Sequence, residues 1–209
     1  MRKKDTYQIL EEVQKICDSM GVKIAFKDTS AFMKFLGLLM FFNPRFMTNY
    51  VTTIGKTIYF PTQERFLVSP VSTAATLAHE LVHVLDSKRN PFFAISYLMP
   101  QIFALGIFGT FFSPWFLLCV LFLLPLPAPF RAHWEKRGYM MTIATTYWFN
   151  NLTVSDEWLS KQFVSPQTYL SMWPFKKQVL NEKHRIEHLL KTNQNLEIPL
   201  EEEMKKIFS

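Results

Sequence analysis

The sequence predicts a mainly helical α+β domain with a small sheet and an inserted hydrophobic helical hairpin. Three observations carry this. Most segments between turn signals repeat apolar residues at helical spacing. Two short runs rich in β-branched and aromatic residues flank Gly55-Lys56. Residues 90–130 contain no Asp, Glu, Lys, Arg or His. At 209 residues the chain fits one domain, 1–209, large enough to bury a core without disulfides.

Along the chain, Ile9, Leu10, Val13 and Ile16 recur at helical spacing between Thr6 and Ser19, with Gly21 as a stop. Val22–Phe26 suits a short strand. Ser30–Phe42 predicts a buried helix, capped by Thr29 or Ser30 and ended by Asn43-Pro44. The run around Tyr50–Ile54 and the run Thr57–Phe60 predict a hairpin or two adjacent strands. Pro70 and Ser72 open a helix through Lys88, where Ala74, Ala75 and Ala78 permit close packing and Asn90-Pro91 ends it. Ala132–Thr146 predicts another helix, Val154–Phe163 a short one, and Ser165-Pro166 the start of a further element. Residues 175–209 are read as an amphipathic C-terminal tail: Val179, Ile186, Leu189 and Leu190 sit among charges, and the last residues look peripheral. There is no obvious internal repeat.

The net charge of +6, from 23 Lys and Arg against 17 Asp and Glu, favours an anionic membrane surface or an acidic partner. It does not favour nucleic acid, because no dense basic cluster is interleaved with aromatics. Cys17 and Cys119 lie about a hundred residues apart and form neither a disulfide framework nor a thiolate metal site, so a reducing compartment is expected. The start has basic residues but no apolar signal core, and no cleaved secretory peptide is expected.

The chemistry lies in His79, Glu80 and His83, an H-E-x-x-H pattern. Residues four apart share a helical face, so both imidazoles reach one ion. Glu80 is then placed to activate water at the metal and to hand the proton to a leaving amine. Leu77, Leu81, Val82, Val84 and Leu85 make this a largely buried helix, where two histidines and a glutamate are costly without a partner. The bland alternative is a pair of locally bonded core histidines.

HELVHVLD resembles the active-site helix of zinc metallopeptidases of the zincin class, and specifically of gluzincin type. The resemblance runs from about Thr53 to Tyr139 and is specific only at the three motif residues. It implies a zincin-like domain, a Zn2+ ion, a peptide or protein substrate, and a third ligand from a later helix. RAHWEKRGY supplies Glu135 for that role, with Arg131 and Tyr139 four residues to either side. This is similar to the second helix of compact bacterial and phage-type members. Tyr139 or Arg131 would then polarise the substrate carbonyl, and Thr57–Phe60 would be the upstream edge strand that aligns an extended peptide. Asp86 either orients a ligand imidazole or pairs with Lys88 or Arg89. Asp86 and Arg89 occupy the glycine and third-histidine positions of the metzincin signature, which excludes that pattern. Zinc follows from ligand type and resemblance; histidine also suits other transition metals. His184–His188 fits the inverted motif H-x-x-E-H, but a solvated amphipathic helix explains it.

The apolar insert, 91–130, separates the motif helix from Glu135. One complete crossing would part the ligands, so an even number of crossings, a re-entrant hairpin or no insertion is required. Two short helices hinged near Ser113-Pro114 fit best, about 13 and 10 residues long and followed by Pro125, Pro127 and Pro129. The insert is expected to meet a membrane or a hydrophobic protein partner, with the active site on the cytoplasmic side. The functional expectation is metalloendopeptidase activity. Its rival is a non-catalytic structural or assembly protein that retains a zincin fold.

Overall fold

The computed structural model describes residues 5–40, 43, 45–124, 126–165 and 172–209. Helix α1 (Thr6–Ser19) opens with the Asp5 amide donating to Gln8 Oε1 at 3.3 Å, and buries Ile9, Leu10, Val13 and Cys17. Gly21, at φ +66°, turns the chain into β1 (Lys23–Phe26). After α2 (Ala31–Leu39), strands β2 (Thr52–Ile54) and β3 (Thr57–Phe60) form a hairpin whose turn needs Gly55 at φ +59°. β1 then pairs parallel with β3, matching Lys23 to Thr57 and Phe26 to Phe60. The sheet order is therefore β1-β3-β2. The expectation that Thr57–Phe60 is an edge strand is corrected: β3 is central and β2 is an outer strand. The parallel return of β1, a long-range pairing, decides this.

Helix α3 (Gln63–Val68) leads into α4 (Pro70–Arg89), which starts at proline as expected and runs 20 residues. α4 packs between α1 and α6 (Pro129–Asn150). Leu77, Leu81, Met141 and Ile143 are buried where these helices meet. α7 (Asp156–Val164) and α8 (Lys176–Lys191) lie against one another, and α8 also meets α6. The further element expected from Ser165-Pro166 falls on residues 166–171, outside the described ones.

Two more expectations are corrected. α2 is capped by Ser30, whose hydroxyl accepts from the Met33 amide at 3.3 Å, but it is not a buried helix. Only Met33 is buried, and Phe32, Phe35, Leu38 and Leu39 are exposed; apart from Lys34 the run is apolar, while the core covers one face. Part of the expected Phe42 boundary also lies outside the described residues. The C-terminus is not peripheral. α9 (Glu201–Phe208) packs on α6 and α1 and buries Met204, Ile207 and Phe208. Glu201 fixes its start by accepting from the Leu196 amide at 2.8 and 3.1 Å.

The insert consists of α5 (Phe93–Leu98) and two 3-10 segments, Gln101–Phe111 and Pro114–Leu123, broken at Ser113. These segments pack on each other, and neither buries a residue. Among the described residues, no helix is long and apolar enough to cross a membrane.

Candidate metal centre

His79 and His83 project from one face of α4, a turn apart, and meet Glu135 from α6. All three are buried, Glu135 to 1% exposure. The two imidazole Nε2 atoms lie 3.1 Å apart; Glu135 Oε2 is 3.6 Å from His79 Nε2, and Oε1 is 3.8 Å from His83 Nε2. Donors about 2.0–2.2 Å from a tetrahedral ion lie roughly 3.3–3.6 Å from one another, and these separations bracket that value. Glu135 Oε2 is buried and has no hydrogen-bond partner. A buried carboxylate oxygen facing two imidazole nitrogens is costly by itself and relieved by a cation among them. The group can hold a metal ion.

The surroundings prepare the ligands. His79 Nδ1 lies 3.0 Å from Thr142 Oγ1, whose hydroxyl is in turn 3.3 Å from Gly138 O. If Thr142 donates to that carbonyl, it accepts from Nδ1–H of His79 and leaves Nε2 bare for a ligand bond. Gly138 makes room for the ring: a Cβ there would stand 2.5 Å from His79 Nε2. Tyr97 of α5 donates its hydroxyl to Glu135 Oε1. Burial pushes the Glu135 carboxyl up, but the two imidazoles facing it and the Tyr97 hydroxyl outweigh this and hold the group at about 2. Burial pushes both histidines down. For His79 the Glu135 and Glu80 carboxylates reverse this and raise it; His83 stays lowered, with His79 adding to the burial.

Glu80 is the partly exposed member of the motif, and its Oε2 accepts from the Thr53 hydroxyl at 2.6 Å. Outer strand β2 thus fixes the carboxylate beside the cluster. Nearby charge includes Lys27, fully buried, with Nζ donating to Phe46 O at 2.6 Å and lying 4.0 Å from the Phe46 ring centre. Burial lowers its ammonium to about 8, against the pull of Glu80.

The other named residues fall as follows. Tyr139 sets its ring edge-on to His79, 4.9 Å between centres, and its hydroxyl is 3.3 Å from Gln162 Oε1. Arg131 donates from Nε to Tyr97 O and from Nη2 to Gln101 Oε1, both at 2.9 Å, which ties α6 to the base of the insert. Asp86 takes neither expected role: it receives a two-pronged bond from Arg137 of α6, at 2.7 and 3.0 Å. In the inverted motif, Ile186 is buried, Glu187 pairs with Lys183 at 2.7 Å and His184 lies 3.8 Å from Asp156, the pattern of an amphipathic helix. A cleft of about 280 Å³ between α6, α7 and α8 shares Tyr139 with the centre but none of the three ligand residues.

Sequence reasoning missed Thr142, Gly138, Tyr97 and Thr53. Thr142 was findable: it lies seven residues after Glu135, two turns along the same face. An isolated glycine inside a helical run was the signal for Gly138. Tyr97 and Thr53 carry no local signal.

The chain matches no family model, no curated protein and no solved structure.

Proposed function

We propose that the protein is a zinc-dependent metallopeptidase of gluzincin-like type, with His79, His83 and Glu135 as ligands and Glu80 as general base. The observation that carries this reading is the meeting of a buried His-His-Glu cluster with a partly exposed Glu80 held by Thr53. A structural zinc needs the ligands but has no use for a carboxylate anchored beside them. An ion bound there would supply Lewis acidity towards a carbonyl and towards water. Glu80 takes a proton from the attacking water at its carboxylate oxygen and returns it to the departing amine. Thr53 keeps that carboxylate in one orientation. Thr142, by accepting from Nδ1–H of His79, fixes the tautomer. The backbone of β2, rather than β3, is the strand positioned to pair with an extended peptide.

The test is hydrolysis of a mixed fluorogenic peptide library by full-length, detergent-purified, zinc-loaded protein and its Glu80→Gln variant. The expected result is turnover in the native chain and a loss of about 10²–10⁴-fold in the variant, with zinc content unchanged. Equal rates in the two proteins would overturn the role of Glu80.

A second reading rests on the burial of all three ligands and on Tyr97 closing over Glu135. In it the ion fastens α4 to α6 in a structural or assembly protein. Removing zinc would then cost stability in both proteins, and neither would turn over.

A further inference from the structure

We propose that the 3-10 segments form a hairpin that inserts into one leaflet of an anionic bilayer, holding the metal centre at the headgroup level. The insertion does not depend on the peptidase reading. Its first support is how the hairpin closes on itself. A Cβ at Gly106 would stand 2.6 Å from Cys119 Sγ, and one at Gly109 would stand 2.7 Å from the Phe116 ring. The glycines therefore let the two limbs touch, the small-residue device by which helices pack in lipid. Phe103 and Phe122 add a ring contact at 5.3 Å.

Self-closure leaves the outer faces bare. Leu105, Phe108, Phe111, Phe112, Trp115 and Leu118 are 57–92% exposed, with Phe111 and Phe112 at the tip above 90%. The limbs bond their own backbones, as lipid requires, and Thr110 donates to Ile107 O. A protein partner is the weaker fit. Protein interfaces carry a hydrogen bond per 100–200 Å² and a polar rim. From Ile102 to Leu124 the side chains offer only Thr110, Ser113, Cys119 and the Trp115 indole N–H.

Length and charge choose the mode. At about 2.0 Å per residue in a 3-10 helix, limbs of 11 and 10 residues reach roughly 20 Å. That is short of the ~30 Å hydrocarbon core, so the limbs cannot cross it, and tilted they fit within one leaflet of about 15 Å. Lys88 and Arg89 are exposed where α4 ends, just before the insert, and the chain carries +6 overall, which suits anionic headgroups. The base is fastened to the metal centre: Tyr97 bonds Glu135, Arg131 bonds Gln101 and Tyr97 O, and Trp134 Nε1 donates to Ser96 Oγ at 3.0 Å. The depth of the hairpin thereby sets the height of the metal ligands above the lipid.

The experiment is flotation of the full-length protein, diluted out of detergent, with vesicles of phosphatidylcholine containing a third phosphatidylglycerol. The native chain is compared with Phe112→Asp, Trp115→Phe and Glu80→Gln, each checked for circular dichroism and zinc content. The native chain and Glu80→Gln are expected to float. Phe112→Asp, at a side chain 92% exposed, should lose at least tenfold in vesicle-bound fraction. Acyl-chain-brominated lipid should quench the native tryptophan emission, and Trp115→Phe should remove most of that quenching. Flotation of Phe112→Asp equal to native, unquenched emission at Trp115, or a native chain that stays in solution as an oligomer or with a bound protein would overturn the proposal. A chain that floats but never hydrolyses peptides sinks the peptidase reading alone; one that hydrolyses without floating sinks the leaflet proposal alone.

Discussion

Gly138 and Thr142 occupy the face of α6 that receives His79, and each makes a separable prediction. Gly138→Ala places a methyl carbon where His79 Nε2 stands 2.5 Å away, so the ring must leave its position. The expected cost is roughly 1–3 kcal/mol, together with loss of zinc binding, read by chemical unfolding and metal titration. Thr142→Val keeps the volume but removes the acceptor for His79 Nδ1–H: zinc affinity is expected to fall about 10–100-fold, and the unpaired ring N–H to cost about 1–3 kcal/mol without metal. Unchanged affinity in competition with a chelating dye would refute the assigned tautomer. His79, Glu80 and His83 were readable before the structure because their relation is set by one helix alone. Glu135 was readable only through the resemblance of RAHWEKRGY to a gluzincin second helix, which implies a glutamate four residues before a tyrosine. Tyr97 and Thr53 were not, since each arrives from another element at an angle that local periodicity does not encode. The same holds for Asp86: its bidentate partner Arg137 lies fifty-one residues away, while the sequence offered Lys88 and Arg89 close by.

The pairing of α4 with α6 brings the centre together, and Asp86–Arg137 is the polar fastening of that pair. Asp86 is 4% exposed, so Arg137→Ala strands a buried carboxylate. The expected loss is about 3 kcal/mol, somewhat less if water reaches the partly exposed Arg137 position, and it should appear in urea unfolding of the metal-free protein. Elements with a single dominant period were legible with nearly correct ends: α1, α4 and the hairpin of β2 and β3. Their arrangement was less so. The central place of β3 depends on β1 returning in parallel from α1, a pairing that no turn signal announces. α2 misled because near-uniform apolarity predicts burial, while the fold covers only the side that carries Met33.

The whole molecule distributes its apolar residues between a core to which α1, α4, α6, α7, α8, α9 and the sheet contribute and an insert whose α5 and 3-10 segments bury none. Deleting residues 201–209 removes Met204, Ile207 and Phe208 from that core. The shortened chain is expected to lose cooperative unfolding, followed by near-ultraviolet circular dichroism. The C-terminus was read as peripheral because its three apolar residues stand among five charged ones, and only their i, i+3, i+4 placement marks a buried face. Lys27 gives a pH signature at this scale. Unfolded, its ammonium keeps the proton to its ordinary 10.5; folded, it releases it at about 8. Between these values the unfolded state binds more protons, so stability contributed by this group rises with pH from about 8 to 10.5 and is lost as pH falls through that window. Lys27→Met should flatten that part of the stability–pH curve relative to native.

The metal centre is tested most directly by the zinc content of detergent-purified protein, prepared without chelators and offered zinc before dialysis, for the native chain and Glu135→Ala. One zinc per native chain is expected, lost or greatly weakened in the variant, since Glu135 from α6 completes what His79 and His83 of α4 begin. A native chain without metal, or a variant that binds as tightly as native, would contradict it.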